Sequence, residues 1–361
     1  MKTFNVLPHL QHFLKQYQSE SNPSDSPFQS KVILISGGTT GIGFEVAKQV
    51  LSLGFLVIVT SSSEKRAVEA VERIVEETKR DFSELPLCSD LEKRIVGMGM
   101  NLADLESVAT SCLELCKNIL PDRLGVDGID VIINNAGVVV GDTKLNQQQI
   151  STTFSVCYLG HTLMNHLLRS KMRKGSRIVV VSSNVAKMVF SEKYKTLDDI
   201  QWMNMIKEER SISTTIPTYA YNKLFCSMYA FSLHEKWIES GLYSNIEMVN
   251  CVHPGVMMTN LPEKAKSIQK EENPIFAYLS YGMYYLIHAF KGIPISKGAY
   301  HELKMAVDRD IKCSGVYFSL DKEDREHPLA YVKEERDKLW NLTMELITPF
   351  LEKYAPLIEQ H

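Results

Sequence analysis

Apolar residues run along this chain in two alternating rhythms. VILIS (32–36) is a continuous, largely β-branched run, as expected of a strand covered on both faces of a parallel sheet. FLVIVT (55–60) is a second such run, and RIVGMGMNL (94–102), GIDVIINNAG (128–137), IVVVSS (178–183) and NIEMVNCVHPG (245–255) read as further strands. Between them, FEVAKQVLSLG (44–54) and EKRAVEAVERIVEETKR (64–80) carry apolar residues at helical spacing. The first closes on a glycine, a common helix stop. Strands alternating with helices predict βαβ units, right-handed crossovers and a doubly wound parallel sheet of the α/β class. Near the start, Phe4, Leu7, Leu10, Phe13, Leu14 and Tyr17 also keep helical spacing. They predict a short amphipathic arm, either docked on its own domain or facing a membrane surface or partner. SESNPSDSPFQS (19–30), polar with two prolines, reads as a linker. The expected organisation is an arm and linker over 1–30, one domain over 31–345 with a helical substrate cap in the region 260–300, and a tail over 346–361.

Composition narrows the class. Hydrophobic residues make up 44% of the 361 and charged residues 23%, ordinary globular proportions that exclude a disordered or disulfide-scaffold chain. Forty basic against 43 acidic residues leave a net charge of −3, which argues against nucleic-acid binding driven by phosphate neutralisation. The seven cysteines are odd in number and irregularly spaced, which suits reduced thiols rather than zinc ligands or disulfides. His, Gln and Lys interrupt the first twenty residues, so no secretory signal is visible there. The nearest approach to a spanning segment, PIFAYLSYGMYYLIHAF (274–290), is short and carries His288. A cytoplasmic protein is expected, with peripheral contact to endoplasmic-reticulum or lipid-droplet membrane left open.

The chemistry begins at the first strand–helix junction, Ser36-Gly37-Gly38-Thr39-Thr40-Gly41-Ile42-Gly43. Glycine allows φ > 0 and close backbone approach, and a helix start offers free N–H groups and a positive dipole end to a pyrophosphate. No Gly-Lys-Ser/Thr follows, which disfavours a nucleotide-hydrolysing P-loop. The second strand ends in Thr60-Ser61-Ser62-Ser63, without the acid that would bind a ribose 2′-OH, and Lys65 and Arg66 follow. Hydroxyls and cations suit a 2′-phosphate, so NADP is expected over NAD, with NAD kept open. Further on, Tyr219 and Lys223 stand four apart, on one helical face. A neighbouring ammonium, together with a bound nicotinamide cation, would favour the phenolate, and two to three pKa units need roughly 3–4 kcal/mol.

The order of glycine loop, NNAG (134–137), a strand ending in Ser-Ser, Tyr-x-x-x-Lys and Pro-Gly resembles the short-chain dehydrogenase/reductase superfamily over residues 31–345. The resemblance implies a Rossmann-type fold and specific roles. Ser36, Gly37, Gly41, Ile42 and Gly43 would form the cofactor loop, with Ser36 at a position where the family has Thr. Asn101-Leu102 would meet the adenine, with Asn101 at a position where the family has Asp, and Ser62 of the hydroxyl run after the second strand joins the cofactor-binding candidates. Asn134, Ala136 and Gly137 would close the cleft. Ser183 would orient the substrate oxygen, Tyr219 would be the general acid/base, and Lys223 would bind the ribose and tune Tyr219. Pro254, Gly255 and Thr259 would hold the carboxamide end. No metal is required, because the tyrosine supplies the proton. One departure from the pattern matters most: Cys157 stands where similar proteins have the asparagine of a proton relay, and a thiol is a weaker hydrogen-bonding group.

The 35 residues 184–218 between Ser183 and Tyr219, with YNKL, HPGVMMT and the later KGAYHELKMAV, GVYF and KLW, resemble the retinol-dehydrogenase-like branch. That implies oxidation or reduction of a lipophilic alcohol or carbonyl: a retinoid, steroid or lipid-derived molecule. Residues 275–290, rich in Tyr and Leu, suit a lid over an apolar pocket, a membrane-interface helix or a core helix. A catalytically weakened cofactor-binding sensor or scaffold is the competing reading, motivated by Cys157. Homo-oligomerisation is left open.

Overall fold

The computed structural model describes residues 4–17, 27–138, 145–189, 194–207, 215–257 and 292–361. The β-branched runs become β1 (Val32–Ile35), β2 (Leu56–Ser61), β3 (Ile95–Gly99), β4 (Ile129–Asn134), β5 (Met172–Val181) and β6 (Ile246–His253), followed by short β7 (Tyr317–Ser319) and β8 (Lys322–Asp324). They form one sheet in the order β3-β2-β1-β4-β5-β6-β7-β8, parallel except for the last pair. Every residue of β1, β2 and β4 is buried, which is why these strands read as unbroken apolar runs rather than alternating ones.

Helices cover both faces. On one lie α1 (Leu7–Tyr17), α2 (Gly41–Ser52), α3 (Glu64–Asp81) and α7 (Ile295–Val307), which contribute to one apolar core with Ile33, Ile35, Val57 and Ile133. On the other lie α4 (Leu105–Glu114), α5 (Gly160–Leu168), α6 (Thr215–Leu233) and α8 (Lys333–Glu359), around Leu34, Ile58, Ile132 and Val180. The alternation of strand residues between the two cores follows from the two-residue repeat of a strand.

The arm turns its apolar face inward. Leu10, Phe13 and Leu14 of α1 are buried. The Tyr17 hydroxyl donates to the Val307 carbonyl at 2.8 Å, and Gln16 Nε2 donates to Asp308 Oδ1 at 3.0 Å. At the other end, α8 crosses residue 345 without a break despite Pro349 and Pro356, and buries Ile347, Tyr354, Ala355 and Ile358. Residues 346–359 are thus packed helix. Among the described residues no helix is long and apolar enough to cross a membrane. Of the expected cap, only residues 292–300 are described, and the lid sequence 275–290 lies outside the described residues.

Candidate active site

The strand order reverses between β1 and β4, and a doubly wound sheet binds its ligand in the crevice at such a switch point. The glycine turn sits there. Gly37 and Gly41 hold φ of +64° and +60°, values an L side chain rarely adopts. Gly43 serves closeness instead: a Cβ there would lie 2.6 Å from the Gly37 carbonyl oxygen and collide with Asn135 Nδ2. Thr40 caps α2 in extended conformation with no side-chain hydrogen bond to the helix. The first amides of α2, at Gly41 and Ile42, are left for an anion.

Ser36, fully buried, ties this turn to the end of β4. Its Oγ accepts from the Asn135 and Ala136 amides, each at 3.0 Å. Asn135 reciprocates, its Nδ2 donating to the carbonyls of Ser36 at 2.8 Å and Gly37 at 3.3 Å. Asn134 is buried with neither side-chain polar atom hydrogen-bonded among the described residues, the condition of a group awaiting a ligand or water. Asn101 Oδ1 accepts from the Ala103 amide at 3.2 Å. Leu102 is buried, and a Cβ on Gly160 would lie 2.7 Å from the Leu102 carbonyl oxygen. At the end of β2 the exposed Ser62 hydroxyl accepts from the Arg66 guanidinium at 2.6 Å.

The catalytic candidates converge at the carboxyl end of β5. Lys223, 3% exposed, donates from Nζ to the Val181 carbonyl at 2.7 Å, and its ammonium lies 5.6 Å from the centre of the Tyr219 ring. A Cβ added to Gly137 would be 3.5 Å from that same Nζ, so the lysine also reaches the loop after β4. Ser182 Oγ donates to the Lys223 carbonyl at 2.7 Å. That bond fixes the strand end beside Ser183 against α6. On the other side of Ser183, Asn184 Oδ1 accepts from the Tyr317 hydroxyl at 2.8 Å, and its Nδ2 donates to Ser319 Oγ at 3.0 Å. Both neighbours of Ser183 are clamped, one by α6 and one by β7.

Electrostatics modify the expectation for Tyr219. Burial pushes the phenol up, and Lys223 pulls it back only in part, leaving it above its ordinary value. The lysine alone does not acidify this tyrosine. Burial also pulls on the Lys223 ammonium, but attraction to Tyr219 and the neighbouring thiols, exerted by their ionised forms, outweighs it and leaves the lysine above its usual range.

Cys157 lies beside this group, its Sγ 3.8 Å from the position a Gly137 Cβ would take. The thiol exchanges 3.4 Å contacts with the Val138 amide and carbonyl. Burial raises its pKa. Pro254 and Gly255 follow β6, Gly255 at φ +114° and too close to Ile293 for a side chain. Thr259 lies outside the described residues. The expected site residues omitted Asn135 and His161. Asn135 was visible inside NNAG, whereas a histidine on an apolar helix carries no sequence signal of a hydrogen bond to the glycine turn.

A family model for the short chain dehydrogenase matches residues 31–194. Retinol dehydrogenase 14 of Mus musculus is 30% identical over 323 residues, spanning 88% of this chain and 86% of the relative. Polyprenol dehydrogenase of Danio rerio is 27% identical over 331 residues, spanning 90% and 89%. Among solved structures, L-sorbose reductase from Gluconobacter frateurii, complexed with NADPH and L-sorbose, is similar at TM-score 0.55 and 17% identity, covering 81% of this chain and 95% of that one. A protein from Mycobacterium paratuberculosis is similar at TM-score 0.60 and 19% identity, covering 89% and 94%. These similarities and the switch-point turn define a dehydrogenase or reductase that takes a nicotinamide dinucleotide. The chain belongs to the short-chain dehydrogenase/reductase superfamily, in its retinol-dehydrogenase-like branch.

Proposed function

We propose that this enzyme interconverts an alcohol and a carbonyl on a lipophilic molecule, using NADP(H). The observation that carries the reading is the placement of Lys223, whose buried ammonium is anchored on Val181, faces the Tyr219 ring and lies against Gly137. The empty hydrogen-bond positions of Asn134 and the free helix start fit a dinucleotide. Gly37, Gly41, Ile42 and Gly43 would hold its pyrophosphate, Lys223 its nicotinamide ribose, and Asn101 and Leu102 its adenine end. Ser62 and Arg66, already paired, supply a hydroxyl and a guanidinium suited to a 2′-phosphate. When bound, the nicotinamide supplies or accepts the hydride at the carbon bearing the oxygen.

The chain's own residues manage the oxygen and its proton. In the reductive direction the Tyr219 hydroxyl donates its proton to the carbonyl oxygen, and in the oxidative direction it takes that proton back. Ser183 donates a hydrogen bond to the same oxygen and orients it. The fixed ammonium of Lys223 stabilises the phenolate that remains after donation. That the relatives are named retinol and polyprenol dehydrogenases supports a long apolar substrate, and peripheral contact with a membrane that stores one. Tyr219→Phe removes the proton but keeps the ring. It is expected to lower turnover of a retinal, steroid and polyprenal panel by about 10²–10⁴-fold, with NADPH still bound as judged by its fluorescence. Wild-type turnover by this variant would overturn the assignment.

A second reading, a cofactor-binding protein of weak activity, draws on Cys157. Its thiol is engaged only by the Val138 main chain at 3.4 Å among the described residues, a poor substitute for an amide side chain in a proton relay.

A further inference from the structure

A buried histidine outside the catalytic group joins three separate parts of the cofactor site. His161, on α5, is 4% exposed. Its Nε2 lies 2.7 Å from Ser36 Oγ, and its Nδ1 lies 3.3 Å from the Cys157 carbonyl oxygen. Counting donors fixes the tautomer. Ser36 Oγ accepts from the amides of Asn135 and Ala136, so both of its lone pairs are used. Its own proton has two acceptors in reach, His161 Nε2 at 2.7 Å and the Ile133 carbonyl at 3.3 Å. The shorter contact takes it. Nε2 is then an acceptor, and the ring proton sits on Nδ1, directed at the Cys157 carbonyl. Burial agrees with a neutral ring, driving the His161 pKa down to about 3.

The consequence is a continuous chain of bonds. The β4 end donates to Ser36, Ser36 donates to His161, and His161 donates to the carbonyl of Cys157. The Cys226 thiol, one turn beyond Lys223 on α6, donates to that same carbonyl at 3.1 Å. The glycine turn is thereby held against the helix beneath the catalytic lysine.

We propose that His161 is a positioning residue for the cofactor: as a neutral Nδ1–H imidazole it fixes the Ser36 hydroxyl, and through it holds the glycine turn and the Asn135–Gly137 loop in register to receive the dinucleotide. The proposal rests on the cofactor reading above, and the experiment separates the two. NADPH affinity of the full chain is measured first by fluorescence titration, because a wild-type protein that binds no NADPH ends the cofactor reading itself. Two variants then divide the two arms of the ring. In His161→Gln the amide oxygen can occupy the Nε2 position and still accept from Ser36. In His161→Asn the side chain can reach only the Cys157 carbonyl.

The expected result is near-wild-type affinity for His161→Gln and about tenfold weaker binding for His161→Asn, the worth of one buried hydrogen bond. In turnover assays the loss should fall on the KM for NADPH more than on kcat. Equal weakening in both variants, no weakening in either, or greater loss in His161→Gln overturns the proposal. Should neither variant fold, Ser36→Ala removes the same bond from its other end, and wild-type NADPH affinity in that variant overturns the proposal as well.

Discussion

Two glycines of the same turn should fail for different reasons when each is given a single methyl group. Gly41 has φ +60° but nothing within 4 Å of where its Cβ would stand. Gly41→Ala therefore meets only the left-handed backbone penalty of about 1–2 kcal/mol, reduced by about 0.4–1 kcal/mol through lost freedom of the unfolded chain. The net cost is about 1 kcal/mol. Gly43 has an ordinary backbone, yet its Cβ would lie 2.6 Å from the Gly37 carbonyl oxygen, 3.1 Å from the Gly38 Cα and in collision with Asn135 Nδ2. Two of those three neighbours are backbone and cannot turn aside. Overpacking costs about 1–3 kcal/mol, and an Asn135 side chain that swings clear gives up its bonds to the Ser36 and Gly37 carbonyls, about 1 kcal/mol each. Gly43→Ala should thus cost about 3–5 kcal/mol. In urea unfolding, with a slope of about 3 kcal/mol per M, the midpoint should fall by about 1–1.7 M for Gly43→Ala and by about 0.3 M for Gly41→Ala. If Gly41→Ala proves the more damaging, or if Gly43→Ala unfolds with the wild type, the close-approach account of this turn is wrong.

Three further outcomes are expected. Arg66→Ala should weaken NADPH binding by about tenfold while leaving NADH binding unchanged, because the guanidinium beside Ser62 would meet only the 2′-phosphate; equal loss for both cofactors, by fluorescence titration, would refute the NADP preference. Cys157→Asn should raise kcat on a lipid-carbonyl panel by up to about tenfold if the relay limits proton transfer; activity undetectable both before and after would favour the binding-protein reading. Glu302 on α7 is fully buried, neither carboxyl oxygen has a partner among the described residues, and burial drives its pKa from 4.5 up to about 8. The folded state therefore holds a proton that the unfolded state has released, so the Glu302 contribution to stability falls as pH rises from 4.5 toward 8, by about 1.4 kcal/mol per unit at most, against the rise that the buried histidines, lowered from 6.5, contribute below that pH. Glu302→Gln should remove that contribution, so the difference in stability between variant and wild type in urea unfolding should change from pH 5.5 through 7 to 8, and a difference independent of pH would show that Glu302 is ionised in the fold.

How far the sequence could be read depended on whether each signal was local. The buried strands announced themselves because both faces of β1, β2 and β4 are covered. The glycine turn was legible because positive φ and close approach admit few other residues. The first half of β5 was not: MRKGSR is polar, and Gly175 at φ +80° with shifts in register beside it conceals a strand end that pairs at the sheet's margin. Helix α8 was obscured by two prolines that tertiary packing tolerates. The clamps on Ser182 and Asn184 come from residues 41 to 135 positions away, and no spacing rule reaches that far. Helical spacing reveals the lysine beside Tyr219 but not the burial that opposes it.

That burial also sets the surround in which the Lys223 ammonium acts. The titratable groups coupled electrostatically to Lys223 include Tyr219, Cys157, Cys226, Cys251, His161, His253 and Glu302. Desolvation pushes the phenol, the three thiols and the carboxyl up, and draws His161 down to about 3 and His253 to about 4. Each of these shifts favours the uncharged form near neutral pH. A carboxylate at position 302 would offset the ammonium, and a charged imidazole at 161 would compete with it. With those groups neutral, the field of Lys223 acts in a low-dielectric surround, where a unit charge reaches further than in water. Tyr219 is the largest of its electrostatic partners, with the ring centre 5.6 Å from the ammonium. The same burial that raises the pKa of the resting phenol leaves a phenolate dependent on positive charge nearby, of which Lys223 is one source.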